Sequence, residues 1–257
     1  MTVIDINSDM GEGFGPYKMG DDEGMLAIVS SANVACGFHA GDPDIMRRTI
    51  EGALARGVDV GAHTGFNDVW GFGRRVIVGD SLRTIENATA YQIGALQAIA
   101  TSAGHRVTHF KPHGALGNLM FKDKDFADAV ARAVKSVDRE LLWVVPPATA
   151  GEGAGERAGL NVIREVFADR AYADDGHLMS RRLEGAVIHD KAIAAERVLR
   201  MVEDVCITTH SGKRIPVRVD TVCVHGDTDG AIGMALAVRQ RLEAAGVGIR
   251  PLSASHR

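Results

Sequence analysis

The ends of the apolar segments carry the residues that could do chemistry. Acids, histidines and two basic side chains follow successive segments: Asp9, Glu12, His39, His63, Lys111, His113, Arg170, His225 and Asp227. Four of the 10 histidines occupy such positions, which random scatter would seldom produce. Asn33 is a further polar residue, at the start of the apolar segment that precedes His39. We therefore expect these side chains to converge on one polar site, although they are far apart along the chain.

These residue types are those of acid–base catalysis. Carboxylates and imidazoles exchange protons near neutral pH, and the cations of Lys111 and Arg170 suit a substrate carboxylate or a developing oxyanion. Imidazole and carboxylate also bind divalent metals such as zinc. The chain contains no H-E-x-x-H pattern, and the spacing leaves metal-free and metal-assisted hydrolysis both open.

Simpler interpretations exist for several polar residues. A single histidine at the end of a strand is often only a hydrogen-bonded structural residue. Asp42 is interpreted as a helix cap, and Asp227 could be one too. Asp169 could pair with its neighbour Arg170. The convergence of many such residues, rather than any one of them, favours a functional site.

A nucleotide site is not recognisable in this chain. The glycines of "GEGFG" (11–15) resemble a phosphate-binding loop, but they do not form G-x-G-x-x-G and their neighbours are acidic. The pattern G-x-x-x-x-G-K-[ST] does not occur. If ATP is used, the sequence of this chain does not identify its site.

Seven short β-rich segments alternate with helical patterns. The segments span residues 2–7, 33–36, 58–63, 107–114, 141–146, 160–167 and 219–226. Most are nearly continuous apolar runs, as expected of strands buried on both faces of a parallel sheet. We predict an α/β fold, a seven-stranded (β/α) barrel forming one domain over residues 1–257, with an open doubly wound sheet as the alternative. In such a barrel the working residues project from the carboxyl ends of the strands.

Capping residues mark the predicted helices. Asp42 and Gly57 delimit one helix, and Ser81 and Gly104 delimit a longer one. Further amphipathic helices are predicted at residues 124–137, about 189–204 and about 229–245.

Two segments interrupt this alternation. Residues 206–219 are predicted to form a hairpin that turns at Ser211-Gly212-Lys213. The glycine-rich stretch 150–159 lies where a crossover helix is expected, and we interpret it as a frayed helix or a surface loop.

Composition excludes several classes of protein. A net charge of -4 without a basic cluster argues against nucleic-acid binding. Apolar runs stay short of the roughly 18 residues that span a bilayer, and the first residues lack the pattern of a secretory signal. Cys36, Cys206 and Cys223 are widely spaced in apolar surroundings and are expected to be buried free thiols. A reducing cytoplasm fits this pattern best.

Long collinear motifs resemble the LamB/YcsF family, the A subunit of bacterial 5-oxoprolinase. The resemblance runs from residue 5 to about residue 235 and is carried by "DINSDMGEGFGPYKMGDDEGML", "SSANVACGFHAGDP", "GAHTGFNDVWGFGRR", "KPHGALGN", "EVFADRAYADDG" and "TVCVHGDT". It implies a (β/α) barrel of the glycoside hydrolase/deacetylase type. It also implies ATP-dependent opening of the lactam 5-oxoproline to L-glutamate together with B and C subunits, which would activate the lactam with ATP.

The family resemblance extends to individual site residues. Expected catalytic residues are Asp9, Glu12, His39, His63, His113, His225 and Asp227. Expected substrate-binding residues are Asn33, Lys111 and Arg170. Three positions depart from the family pattern: Thr64, Phe66-Asn67 and Gly117. They are expected on rim loops, where they would reshape the pocket or a subunit interface.

Two other functions are compatible with the same residues. One is a metal-dependent deacetylase or amidohydrolase on the same barrel, and a divalent metal is therefore left open. The other is a non-catalytic ligand-binding subunit whose polar rim recognises a ligand held by a partner. The sequence does not indicate an oligomeric state, and a homo-oligomer is compatible with it.

Overall fold

A closed parallel barrel forms the centre of the molecule. The computed structural model describes residues 2–226 and 230–256. Seven strands form the barrel: β1 (Val3–Met10), β2 (Ser31–Ala35), β3 (Asp59–Thr64), β4 (Val107–Pro112), β5 (Leu142–Val145), β6 (Val162–Phe167) and β9 (Thr221–Cys223). Each strand pairs in parallel with the next, and β9 pairs with both β6 and β1, which closes the barrel. The predicted seven-stranded (β/α) barrel is confirmed, and the open sheet is excluded.

Helices cover the outside of the barrel. They are α1 (Asp22–Leu26), α2 (Pro43–Arg56), α3 (Leu82–Ser102), α4 (Gly114–Met120), α5 (Lys124–Val137), α6 (Ala150–Ala158), α7 (Lys191–Asp204), α8 (Ala231–Ala244) and α9 (Leu252–Ser255). The main apolar core lies between these helices and the strands. In the part of the chain that the structure describes, none of the helices has both the length and the apolar character needed to cross a membrane.

The predicted caps and the hairpin are confirmed. The Asp42 carboxylate accepts hydrogen bonds from the backbone amides of Asp44 and Ile45, and the Ser81 hydroxyl accepts one from the Thr84 amide. The hairpin consists of β7 (Cys206–Thr208) and β8 (Arg214–Pro216), paired antiparallel. A short strand, β10 (Gly248–Ile249), pairs with the start of β1 outside the barrel.

The glycine-rich segment 150–159 is a regular helix, so its interpretation as a frayed helix or loop was wrong. Its glycines permit close packing rather than disorder. A Cβ added at Gly155 would lie 2.5 Å from Cδ1 of Trp143, and the Trp143 indole donates a 2.9 Å hydrogen bond to the Gly151 carbonyl. Helix α6 therefore lies directly on Trp143, a contact that a larger residue than glycine would prevent.

The inside of the barrel is polar, unlike the nearly continuous apolar strands expected from the sequence. Asp5, on β1, is buried and accepts hydrogen bonds from the hydroxyls of Ser30 at 2.7 Å and Ser31 at 2.6 Å. The Thr221 hydroxyl contacts its other oxygen. Burial raises the pKa of Asp5 to about 7, because these hydroxyls only partly replace water around the charge.

Asp5 should make folding stability depend on pH. Between pH 4 and pH 7 the folded chain keeps a proton on Asp5 that the unfolded chain has released. Its contribution is therefore full at low pH and is lost as the pH rises towards 7. We expect the unfolding free energy of Asp5→Asn to lack this decline, which amounts to about 4 kcal/mol for a shift of this size.

Urea unfolding at a series of pH values between 4 and 7 measures this difference. The exposed Asp80→Asn serves as the matched control and should follow the unmodified chain. Parallel stability curves for Asp5→Asn and the unmodified chain would contradict the assignment.

Candidate active site

The strand register brings the sequence-predicted residues to one mouth of the barrel. Asp9 on β1 pairs with Asn33 on β2, and His63 on β3 pairs with Lys111 on β4. These positions lie near the carboxyl ends of neighbouring parallel strands, so their side chains share one end of the barrel. The glycine-bounded loops that follow add Glu12, His39 and His113.

Lys111 is the cation at the floor of this mouth. Its ammonium lies 2.9 Å from Oδ1 of Asp9 and 2.9 Å from Oε1 of Glu165. It also donates to Oδ1 of Asn7 at 3.2 Å and to Sγ of Cys223 at 3.1 Å. An ammonium has three hydrogens, so these four acceptors use its full donor capacity.

The ion pairs keep both partners charged despite burial. Burial opposes ionisation of Asp9, but the contact with His63 and the Lys111 ammonium outweigh it and hold the pKa of Asp9 well below its usual range. Burial likewise works against the charged form of Lys111, but the Asp9 and Glu165 carboxylates beside it raise its pKa well above the usual value. The floor of the mouth therefore carries a fixed ammonium and a fixed Asp9 carboxylate at neutral pH.

Two amides and a histidine extend this network across the barrel. The Asn33 amide donates to Oδ1 of Asn7 at 2.8 Å and to Oδ1 of Asp9 at 2.9 Å. Its oxygen lies 2.9 Å from Nε2 of His109. Burial lowers the pKa of His109 to about 3, so its ring is neutral. A Cβ at Gly61 would lie 2.1 Å from the His109 ring, so glycine makes room for that ring inside the barrel.

Glu12, His39, His63 and His113 form a second group above the floor, which we call the Glu–His cluster. One ligand atom from each residue lies within 4.8 Å of the others. Nδ1 of His113 is 3.0 Å from Nε2 of His63. Oε1 of Glu12 is 3.5 Å from Nε2 of His39 and 3.6 Å from Nδ1 of His113. All four side chains are buried.

The Glu–His cluster contacts the floor through His63. Its Nε2 lies 3.3 Å from Oδ2 of Asp9, and its Nδ1 lies 3.0 Å from the Lys111 carbonyl oxygen. Asp9 therefore bridges the Lys111 ammonium and the His63 imidazole. The Asp9 side chain is 14% exposed, more than the side chains of His63, Lys111 and Glu165.

His39 is held by packing rather than by hydrogen bonds. Its ring is fully buried, and neither ring nitrogen has a hydrogen-bond partner within the described part of the chain. The ring stacks on His113 with centroids 3.8 Å apart, and added Cβ atoms at Gly65 or Gly73 would lie within 2.8 Å of His39 atoms. Burial lowers the pKa of His39 well below its usual value and that of His113 to about 3.

His225 pairs with Asp169, which corrects the pairing considered for Asp169 and Arg170. Nδ1 of His225 lies 2.8 Å from both carboxylate oxygens of Asp169. Although burial opposes ionisation of Asp169, its contact with His225 lowers the pKa of Asp169. The Arg170 guanidinium instead donates to the Met179 carbonyl. A cavity of about 490 Å³ adjoins the His225–Asp169 pair.

Most of the sequence-predicted residues meet in one connected network. It contains Asp9, Glu12, Asn33, His39, His63, Lys111 and His113. His225 pairs with Asp169 outside this network, and Arg170 contacts the loop that follows it. Asp227 lies outside the described residues.

Sequence reasoning missed several members of the network. Asn7, His109, Cys223 and the role of Glu165 at the Lys111 ammonium were not predicted. A signal was present in β1, where Asp5, Asn7 and Asp9 stand at every second position and so point to one face. The apolar interpretation of the strands obscured it.

The three departures from the family pattern differ in their surroundings. Thr64 ends β3 and is buried, with no hydrogen-bond partner for its hydroxyl among the described residues. Phe66 is buried and its ring lies 6.3 Å from that of Phe126. Gly117 lies inside α4 rather than on a rim loop, which corrects its expected position.

Two proteins of known name match this sequence over nearly its whole length. A protein of Bradyrhizobium diazoefficiens that is named as an A subunit of 5-oxoprolinase is 56% identical over 251 residues, which cover 98% of each chain. The 5-oxoprolinase A subunit of Rhodopseudomonas palustris strain BisB18 is 55% identical and covers 98% of this chain and 99% of its own.

Solved structures agree on the fold. The lactam utilization protein of Thermus thermophilus matches with a TM-score of 0.92 and 43% identity, over 97% of this chain and 99% of that one. The catalytic domain of a peptidoglycan N-acetylglucosamine deacetylase from Eubacterium rectale matches with a TM-score of 0.53 at 14% identity, over 100% of this chain and 90% of that one. The second likeness shows a shared deacetylase-type barrel and nothing about activity.

The family model described as "LamB/YcsF family" matches residues 4–257. With this match and relatives above 50% identity over nearly the whole length, the chain belongs to the LamB/YcsF family.

Proposed function

We propose that this chain is the A subunit of an ATP-dependent lactam hydrolase that opens 5-oxoproline to L-glutamate. The observation that carries the proposal is the near-full-length identity of 52–56% to relatives named as the A subunit of 5-oxoprolinase. The named lactam utilization protein of Thermus thermophilus adds support. The charged floor, the imidazoles and the His225–Asp169 pair at one barrel mouth supply groups that such a hydrolysis needs.

ATP would enter through partner subunits, B and C. The absence of a G-x-x-x-x-G-K-[ST] pattern in the sequence supports this division of labour. On the loop after β3, Trp70 is 97% exposed and Val78 is 86% exposed, and we propose these two side chains as contacts for a partner subunit. The buried free thiols Cys36, Cys206 and Cys223 support a reducing, cytoplasmic location.

We assign His225 as the base that activates water, oriented by Asp169. A carboxylate can only accept, so Nδ1 of His225 carries the proton of their 2.8 Å hydrogen bond. Nε2 is then free to accept a proton from water. The carboxylate also stabilises the imidazolium that forms, as in other histidine–aspartate pairs.

Lys111 and Asn33 act on the substrate through Asp9 in this proposal. The donors of both side chains are already used by Asp9, Asn7 and the other floor residues. Arg170 keeps donor capacity, because its buried Nε has no hydrogen-bond partner among the described residues. We therefore assign Arg170 to the carboxylate of the lactam substrate and Lys111 to positioning Asp9.

The proposed function is tested by reconstitution with candidate B and C subunits. We expect glutamate formation that requires 5-oxoproline, ATP and this chain together. Glutamate formation at the same rate without this chain, or none with any lactam, would contradict the proposal.

Asp169→Asn should lower the turnover number in that assay by about 10²–10⁴-fold, the usual contribution of a positioned base. An asparagine amide can donate to Nδ1 of His225 and so place the ring proton on Nε2, where it blocks proton uptake. The matched control is Asp128→Asn, which loses a carboxylate that pairs with Lys124 and Arg157 on the outer helices. The control should retain turnover. If Asp169→Asn also retains turnover, the assignment of His225 as the base is wrong.

A further inference from the structure

The hydrogen bonds around the Glu–His cluster fix which nitrogens carry protons. A carbonyl oxygen can only accept, so Nδ1 of His63 donates to the Lys111 carbonyl at 3.0 Å. For the same reason Nε2 of His113 donates to the Phe72 carbonyl at 2.8 Å. Each ring has one nitrogen left, Nε2 of His63 and Nδ1 of His113, and these two atoms face each other at 3.0 Å.

Two imidazole lone pairs at this distance repel each other unless a positive charge lies between or beside them. One solution is a proton on Nε2 of His63, which would make an imidazolium next to Asp9. The other is a metal ion that accepts both lone pairs. The backbone carbonyls that fix the two tautomers are the kind of partner that metal-binding histidines use.

The other two members of the cluster distinguish these solutions. A proton shared by His63, His113 and Asp9 leaves nothing for His39, whose two buried nitrogens have no hydrogen bond among the described residues. The Glu12 carboxylate lies against the same rings, 3.5 Å from His39 and 3.6 Å from His113. A metal ion uses all of these groups, because imidazole nitrogen and carboxylate oxygen are both ligands for divalent metals.

The spacing of the ligand atoms suits one ion. Two ligands bound tetrahedrally at 2.0–2.1 Å from zinc lie roughly 3.3 Å apart. Three of the separations are 3.0 Å for His63–His113, 3.5 Å for Glu12–His39 and 3.6 Å for Glu12–His113, and all four ligand atoms lie within 4.8 Å of one another. His63 and His113 are perpendicular, whereas His39 stacks on His113. Because the lone pairs of parallel rings do not meet, binding must turn the His39 ring off its stack on His113. Packing opposes this rotation, but no described hydrogen bond does.

We propose that Glu12, His39, His63 and His113 bind one divalent transition-metal ion, with zinc favoured by the donor set. The ion would lie above the floor of the barrel mouth, on the side of His63 that contacts Asp9. There it would supply a Lewis acid or a metal-activated water for attack on an acyl carbon. This site goes beyond the proposed lactam hydrolysis and does not depend on it, since binding is measured without substrate, ATP or partner subunits.

Metal titration of tag-free protein, stripped with a chelator, tests the proposal. We expect one Zn²⁺ or Co²⁺ per chain by calorimetry and elemental analysis, a tetrahedral Co²⁺ absorption spectrum and a higher melting temperature on loading. His39→Gln and Glu12→Gln should each weaken binding by at least about 100-fold, since changes that merely misorient ligands already cost 10–100-fold. His39→Gln breaks no hydrogen bond among the described residues, so it should fold, and circular dichroism checks both variants.

His225→Asn is the matched control, because it removes a histidine of the same mouth that lies outside the cluster. It should bind the ion as the unmodified chain does. Failure of the unmodified chain to bind a stoichiometric ion would overturn the proposal and favour the imidazolium. Equal binding by folded Glu12→Gln and His39→Gln would overturn it as well, by placing the ion elsewhere.

Discussion

A single buried ammonium organises the interior of this barrel. Lys111 lies among two carboxylates, an amide and a thiol drawn from three other strands, β1, β6 and β9. Removing such a charge from water costs several kcal/mol, and only close opposite charges and hydrogen bonds offset that cost. Each strand must therefore arrive in register, because a displaced Asp9 or Glu165 would leave the ammonium without its counter-charge. The strand register of the closed barrel is thus also what aligns the charged groups at the floor of the mouth.

The Asp9–Lys111 ion pair positions the titratable groups above the floor. Asp9 uses one oxygen for Lys111 and presents the other to His63, so the ion pair fixes the position of the Glu–His cluster. His225 and Asp169 form a separate pair at the ends of the last strands, beside a cavity of about 490 Å³. The Asp9 carboxylate, the neutral imidazoles of His39 and His113 and a histidine oriented by Asp169 are thus available within one mouth. Displaced pKa values at several neighbouring groups, here Asp9, His39 and His113, are typical of catalytic sites rather than of barrel packing.

The fold was largely predictable because its signals are local. Alternating strands and helices, the caps at Asp42 and Ser81 and the hairpin turn at Gly212 all depend on a few adjacent residues. The rule that working residues lie at the carboxyl ends of barrel strands also predicted that Asp9, His63 and Lys111 share one mouth. Glycine was harder to interpret, because Gly155 reads as a helix breaker until the Trp143 ring that lies on it is known.

The pairing of side chains across strands could not be predicted from one sequence. Glu165 and Cys223 contact Lys111 only because the closing strand lies between β6 and β1. Asp169 stands next to Arg170 in the chain, yet it pairs with His225 across 56 positions. Long-range pairs of this kind depend on the closed topology, whereas adjacency in sequence suggests the wrong partner. Alternation in β1 was the one local sign that the interior is polar.

A double-mutant cycle on Asp9 and Lys111 tests this account most directly. Asp9→Asn, Lys111→Met and the double variant would be compared by urea unfolding of the metal-stripped chain. The account predicts a coupling free energy of about 2 kcal/mol, since each single variant leaves a buried charge without one of its close counter-charges. Additive effects, within about 0.5 kcal/mol, would contradict the claim that this ion pair organises the barrel mouth.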